Sequence, residues 1–280
     1  MEIKAQDVKK LRDKTGAGML DCKNALVKAE GDFAKAEKIL KELGLAAAAK
    51  RSDRATKEGR IFSKVTGKNA GLLELSCETD FVARNTDFIE LGNTLLSRVL
   101  EENLKGPSET LEAPVKEAIG RIKENINLRR FTTLEIGEKE YAAEYIHGEG
   151  SIGVLVKLKA DSAAALANDK VKQFAFDCAL HIAAFNPMFL SPEAVDPAYL
   201  KEQEEIFTVQ AKNLGKPDNV VAGIVKGKVN KHLAEICLVK QGFVKDDKIP
   251  VEKVLEDLNK EVGGTITIAD YRYYRVGEEN

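Results

Sequence analysis

A chain of 280 residues with 44% hydrophobic and 31% charged side chains has the apolar content for a real core, which excludes a disordered polypeptide and points to more than one domain. Its 43 basic and 45 acidic residues nearly cancel, so no global charge directs it to nucleic acid or an anionic membrane. Cys22, Cys77, Cys178 and Cys237 lie too far apart for a zinc knuckle or a dithiol and read as buried apolar residues.

Met1-Glu2-Ile3-Lys4 leads into a charged helical pattern without an apolar signal region. No later apolar run approaches the ~20 residues of a membrane span. The expected location is cytoplasmic, away from membranes.

Residues 6–43 carry the spacing of three short helices. Val8 and Leu11 mark the first, Met19, Leu20, Ala25 and Leu26 the second, and Phe33, Ala36, Ile39, Leu40 and Leu43 the third. Thr15-Gly16-Ala17-Gly18 separates the first two, Gly31-Asp32 offers a break and an N-cap, and Gly44 is expected to stop the third. Residues 45–58, rich in Ala, Lys and Arg, read as a semi-rigid, water-facing helical tether. Residues 1–54 are thus an N-terminal helical module with its linker.

A second unit, residues 55–140, opens with a β-hairpin over 60–66 and 71–77. On its returning strand Leu72, Glu74 and Ser76 alternate with Leu73, Leu75 and Cys77, the pattern of a half-buried strand. Cys77-Glu78-Thr79-Asp80-Phe81-Val82-Ala83-Arg84-Asn85 then turns a corner into a helix on Phe88, Leu91, Leu95, Val99 and Leu100. After Lys105-Gly106-Pro107 a further helix carries Val115, Ala118, Ile119, Ile122 and Ile126, and residues 128–136 alternate as a strand.

The same order recurs. Residues 141–146 and 152–159 flank His147-Gly148-Glu149-Gly150 as a second hairpin, followed by a helix on Val171, Phe174, Ala175, Cys178 and Ile182. Two related α+β halves sharing one core are expected, the second made of 141–186 and 237–280, with 265–276 as its last strand. Between these pieces, residues 187–236 place Leu200, Phe207 and Leu214 at seven-residue spacing before a turn at Gly215-Lys216-Pro217-Asp218. A return helix on Val221, Ile224, Val225, Leu233 and Ile236 completes a coiled-coil-like antiparallel hairpin, whose narrow seam closes on itself or takes a second copy.

No chemistry of the chain's own is legible. His147, His181 and His232 do not pair as metal ligands, and none lies near a local nucleophile motif. Thr15-Gly16-Ala17-Gly18-Met19 lacks the third glycine and the preceding strand of a dinucleotide fingerprint. Asp80 without a second acid reads more readily as an N-cap than as a metal ligand or general acid. Phe81 either tucks under the following helix as a hydrophobic staple or projects toward a partner, and spacing alone favours the staple. An enzyme using Asp80 with His147, and an interaction module built on the helical bundle, remain alternatives to a partner contact at the corner.

Leu11-Arg12-Asp13-Lys14-Thr15-Gly16-Ala17-Gly18-Met19-Leu20-Asp21-Cys22-Lys23-Asn24-Ala25-Leu26 resembles the N-terminal signature of the bacterial translation elongation factor Ts family, and Cys77-Glu78-Thr79-Asp80-Phe81-Val82-Ala83 resembles its second signature. Glu124-Asn125-Ile126-Asn127-Leu128-Arg129-Arg130, His147-Gly148, Ile152-Gly153-Val154-Leu155-Val156, His181-Ile182-Ala183-Ala184 and Gly215-Lys216-Pro217 follow in family order.

The resemblance implies an α+β fold with a ubiquitin-associated-like three-helix N-terminal module, a two-subdomain core with antiparallel sheets, and an inserted antiparallel helical hairpin for dimerisation or docking. It implies a nucleotide exchange factor rather than an enzyme, needing no cofactor, whose partner is the GTPase elongation factor Tu. Thr79, Asp80, Phe81 and Val82 would disturb the partner's magnesium and phosphate site until GTP displaces the factor. Leu11, Arg12, Met19, Leu20 and His147 would be further partner contacts, with Leu11 and Leu20 equally readable as bundle core. Under this resemblance Phe81 is an exposed wedge rather than a staple, and His181 a core or subdomain-packing residue. Some family members carry an extra C-terminal helix; a sequence ending Arg275-Val276-Gly277-Glu278-Glu279-Asn280 is expected to lack that contact.

Overall fold

The structure, a computed structural model, describes residues 3–213, 215 and 217–278. Its first three helices, α1 (Ala5–Thr15), α2 (Met19–Lys28) and α3 (Phe33–Ala49), close on Val8, Leu11, Cys22, Ala25, Leu26 and Ala36. Gly16 ends α1 at φ 66°, a conformation that costs a glycine nothing, and Asp32 caps α3 by accepting from the Lys35 N–H at 3.0 Å.

The first half of the core follows as β1 (Glu58–Val65), β2 (Asn69–Cys77), the single turn α4 (Asp80–Ala83), α5 (Thr86–Glu101), α6 (Glu109–Ile122) and β3 (Ile126–Glu135). The strands form an antiparallel sheet in the order β1-β2-β3. Leu73, Leu75 and Cys77 meet Phe88, Leu91, Leu95 and Val99 of α5 in one cluster. The second half repeats the plan with β4 (Glu140–His147), β5 (Ile152–Ala160), α7 (Ala163–Leu166) and α8 (Asp169–Phe185). The helical hairpin α9 (Pro197–Lys212) and α10 (Asp218–Ile236) is inserted next, and β6 (Gly242–Phe243), β7 (Asp246–Pro250), α11 (Val251–Val262) and β8 (Ile266–Arg275) complete the chain. The sheet β4-β5-β8 is again antiparallel, and both sheets shift register partway along the pair formed with their middle strand. The α+β class and the repeated order are as read from the sequence.

Several local expectations are corrected. Strand β2 is not half-buried: from Ala70 to Cys77 every residue is buried, because its second face lies against the other half of the core. Ile61, Ala70, Leu72, Leu134, Ala142, Leu155 and Tyr274 form that junction. Glu74, fully buried there, accepts from Arg130 Nε at 2.7 Å and from the Gly277 N–H at 2.8 Å, so its charge is compensated. Arg130 also lies over the Tyr274 ring at 4.2 Å. Ile126 belongs to β3 rather than to the preceding helix, which ends at Lys123 with φ 70°.

Gly44 does not stop α3, and residues 45–58, exposed along most of their length as expected, are held on the core rather than standing free as a tether. Helix α3 runs on to Ala49 because Gly44 is where it crosses α6 at Gly120, two residues without side chains letting the backbones approach. Ala48 is buried in the first half of the core, and the Asn125 amide donates to the carbonyls of Ser52 and Arg54 at 3.2 and 2.8 Å. The module is therefore docked on the core.

The hairpin seam is narrow, as its spacing implied: Ala211 and Val221 are buried near its turn end, and Val195, Ile236 and Cys237 pack at its base. Leu214, counted in the seven-residue spacing, and Lys216 of the turn lie outside the described residues. All four cysteines are buried and unbridged. Among the described residues no helix is long and apolar enough to cross a membrane.

His181 is fully buried on α8, with Nε2 2.9 Å from Gln241 Oε1 and its ring against Phe185 and Phe243. Gln241 in turn donates to the Glu235 carbonyl at 2.8 Å, tying α8 to the end of α10.

A methyl at Gly120 would fall 2.7 Å from Gly44 Cα, whereas one at Gly44 would sit 3.5 Å from Gly120 Cα. Both changes gain roughly 0.8–1 kcal/mol of helix propensity. Gly44→Ala is therefore expected to raise the urea midpoint and Gly120→Ala to lower it. Burial, opposed by the Gln241 bond, holds the His181 pKa below its ordinary 6.5. As pH falls below that value the unfolded chain takes up the proton first, so His181 costs stability toward acid and nothing above neutrality. Urea unfolding at successive pH values should show His181→Phe with a shallower acid slope, by at most about 1.4 kcal/mol per pH unit.

Candidate functional site

At the end of β2 the chain changes direction within two residues. Thr79 is extended at φ −127°, ψ 154°, and its Oγ1 accepts from the Val82 N–H at 3.4 Å to start α4. Asp80 is thus the first residue of the turn and Thr79 its cap. Val82 is half-buried and Ala83 buried against the first half of the core. That leaves Phe81 on the outer side, 82% exposed. The staple favoured by spacing is not formed, because its neighbours Val82 and Ala83 make the apolar contacts.

The corner is held by a carboxylate from across the sheet. Glu124 accepts from the Glu78 and Thr79 N–H groups at 3.1 and 3.0 Å, and from Thr79 Oγ1–H at 2.7 Å. Glu78 returns the contact, accepting from the Asn125 N–H at 2.7 Å and facing Arg54 Nη1 at 3.3 Å. Hydrogen bonds to an ionised acceptor are stronger than neutral ones, and here they satisfy backbone donors that neither β2 nor α4 would occupy. Burial, reinforced by the negative charge of Glu124, pushes the neighbouring Cys77 thiol up to about 12, so it is an unreactive packing residue.

Asp80 is half-exposed, with Oδ2 3.5 Å from Arg84 Nη2, and Arg84 Nε lies 3.4 Å from Glu149 Oε2. Exposed pairs of this kind contribute little stability, but they orient the side chains. The Arg84–Glu149 pair forms because the turn after β4 lies beside the corner. Gly150, at φ 101°, sits where a Cβ would fall 2.2 Å from Arg60 Cγ, so the turn lies directly on β1. His147 is exposed at the end of β4, its Nδ1 3.1 Å from Tyr145 Oη, and the Tyr145 ring meets Phe176 edge-on at 5.8 Å.

In the N-terminal module Arg12 is exposed, and Met19 and Leu20 are 46% and 70% exposed at the start of α2. Leu11, which spacing with Val8 puts on the apolar face and the resemblance makes a partner contact, is fully buried in the bundle, about 100° around the helix from Arg12. The module, docked through α3 on α6, also touches the corner's support, where exposed Asp21 pairs with Lys123 Nζ at 3.1 Å, one residue before Glu124.

Asp80 and His147 do not frame a reaction centre. A cavity of about 810 Å³ between α3, α6 and β3 is lined by neither. Among the described residues no three His, Cys, Asp or Glu side chains are placed to hold a metal ion. Sequence reasoning missed Glu124, Arg84, Glu149 and Lys123 as parts of this site. The only signal was that Glu124 and Asn125 stand in one of the shorter matched stretches; their partners lie 45 or more positions away in the chain.

Removing the Glu124 carboxylate leaves two corner N–H groups without their acceptor. Glu124→Ala is expected to cost about 1–3 kcal/mol in urea unfolding. Phe81→Ala, at an exposed position, should change stability by less than about 0.5 kcal/mol.

The sequence profile of the family described as Elongation factor TS matches residues 78–278. A protein named Elongation factor Ts from Treponema denticola is 47% identical over 277 residues, covering 99% of each chain. One of the same name from Borrelia recurrentis is 48% identical over 278 residues, 99% of this chain and all of the relative. Another, from Borreliella burgdorferi, is 47% identical over 276 residues, 98% of this chain and 99% of the relative.

Proposed function

We infer, from the premise that this chain belongs to the elongation factor Ts family, that it is an exchange factor which promotes GDP release from elongation factor Tu through the Phe81 corner. Family membership places the chain in translation elongation and nucleotide exchange. The observation that carries the finer reading is a large apolar ring, 82% exposed, on a turn held by three hydrogen bonds to Glu124. An exposed Phe on a rigid support loses little conformational entropy when it fills a partner's pocket.

The chemistry is non-covalent. A GTPase holds GDP largely through phosphate contacts and a magnesium ion, so turning the phosphate-binding backbone or displacing the ion removes several charge-assisted contacts together. Phe81 is the wedge and Asp80 the acid that redirects hydrogen bonds or the cation around the partner's magnesium, while Thr79 and Val82 set the angle of the turn. Exchange factor and GDP then weaken each other's binding by the same factor, and GTP binding releases the factor. Arg12, Met19, Leu20 and His147 supply additional contact area, with Leu11 supporting α1 from within. The hairpin, with Ile206, Val209 and Val220 exposed, serves docking or self-association. As a translation factor the protein acts in the cytoplasm.

Release of fluorescent GDP from elongation factor Tu tests this reading. Phe81→Ala and Asp80→Ala should each slow release by at least about tenfold, or ~1.4 kcal/mol of barrier, while retaining binding through the helical module. Release at the wild-type rate by both variants would return the corner to a structural role.

A further inference from the structure

The cavity between α3, α6 and β3 starts at Asn125, which also bonds Glu78 of the corner, and is open along one strand. Residues 125–131 all line it. Because successive side chains of a strand point to opposite faces, consecutive residues share one groove only where the groove runs along the strand's edge. Strand β3 is the end strand of its sheet, and among the described residues no other strand pairs with its outer edge. Its backbone groups there form a template for one more strand.

The far wall is apolar. Leu111, Val115 and Ile119 repeat at helical spacing along α6 but are themselves buried in the core and form only the floor of the groove, while Leu45 of α3 stands 39% exposed at the mouth. The volume, about 810 Å³, falls within the range of clefts that hold ligands. The stretch 125–131 spans roughly 20 Å at ~3.3 Å per residue, enough for an extended peptide of about six residues.

The charge selects among peptides. Of the lining side chains, Glu112 is matched by Lys116 at 2.9 Å, and Arg130 by the buried Glu74 at 2.7 Å. That leaves Lys105, whose Nζ reaches the neutral Thr133 Oγ1 at 3.1 Å, while Arg129 shares the single Glu74 carboxylate with Arg130, at the longer distance of 3.9 Å. The groove therefore carries positive charge beyond its own acids. We propose that it takes an extended acidic segment of a partner protein as an added strand on β3, with apolar side chains against α6 and carboxylates toward Lys105 and Arg129.

The test uses the full chain and a labelled, end-capped peptide of about ten residues alternating Val and Glu, long enough to span the groove. Anisotropy should show saturable binding at low salt that weakens at least about fivefold at high salt. Amide exchange should slow over residues 126–133. Lys105→Glu combined with Arg129→Glu should weaken binding at least about tenfold, Lys105→Gln with Arg129→Gln should fall between, and Phe81→Ala should bind as wild type. Absence of peptide binding, equal binding of a Val-Lys peptide, or no protection along β3 overturns the proposal. So does capture of an oligothymidylate in place of the peptide, or a dimer in sedimentation that the double charge reversal dissolves, which would assign the groove to a second copy.

Discussion

Glu124 carries the geometry of the corner. Its carboxylate satisfies the N–H groups of Glu78 and Thr79 and the Thr79 hydroxyl, at the point where a buried strand has to become an exposed turn. Around it, Lys123 holds Asp21 of the helical module, and Asn125 holds the Ser52 and Arg54 carbonyls of the linker. Three successive residues after α6 thus fix the module, the linker and the Phe81 turn to one another. Two exposed apolar features far apart in the sequence, Met19-Leu20 and Phe81, are thereby mounted on one frame, so a partner can meet both without the chain first being ordered.

That frame depends on the burial of β2 from both sides. Its Leu73 face packs on α5 and its Leu72 face on the second sheet, which leaves the strand little freedom to slide. A one-residue slip would send every side chain to the opposite face. Glu74 is the polar residue inside this junction, and its contacts with Arg130 and the Gly277 N–H pin the end of β8 to the first sheet. The two halves are therefore mutually dependent. The Arg84 to Glu149 contact, which steadies Asp80, exists only because the second half brings its turn onto β1.

Much of the architecture was legible from local patterns. The three N-terminal helices, both hairpins, the stripe on Phe88, Leu91, Leu95 and Val99, and the helical hairpin each follow from spacing and from Gly or Pro punctuation. Errors arose where tertiary contact overrode a local rule. Gly44 looked like a helix stop, yet it is the crossing point with Gly120. Residues 45–58 looked like a solvated tether, yet Ala48 and the Asn125 bonds hold them down. Leu11 shares a matched stretch with Arg12, yet here the local spacing with Val8 was the better guide: Leu11 is inside the bundle and Arg12 outside.

By itself the sequence determined the α+β class, the order of the elements and the stretch at residues 77–85 where family resemblance and an unusual Asp-Phe pair coincide. Periodicity and motif are properties of neighbouring residues, so they survive without coordinates. Only the tertiary structure decided that Phe81 projects, that Glu74 is buried with its partner, and that Glu124 supports the corner. Each of those depends on groups some 45 to 200 positions apart, whose meeting is set by how the two sheets and the helices close on one another.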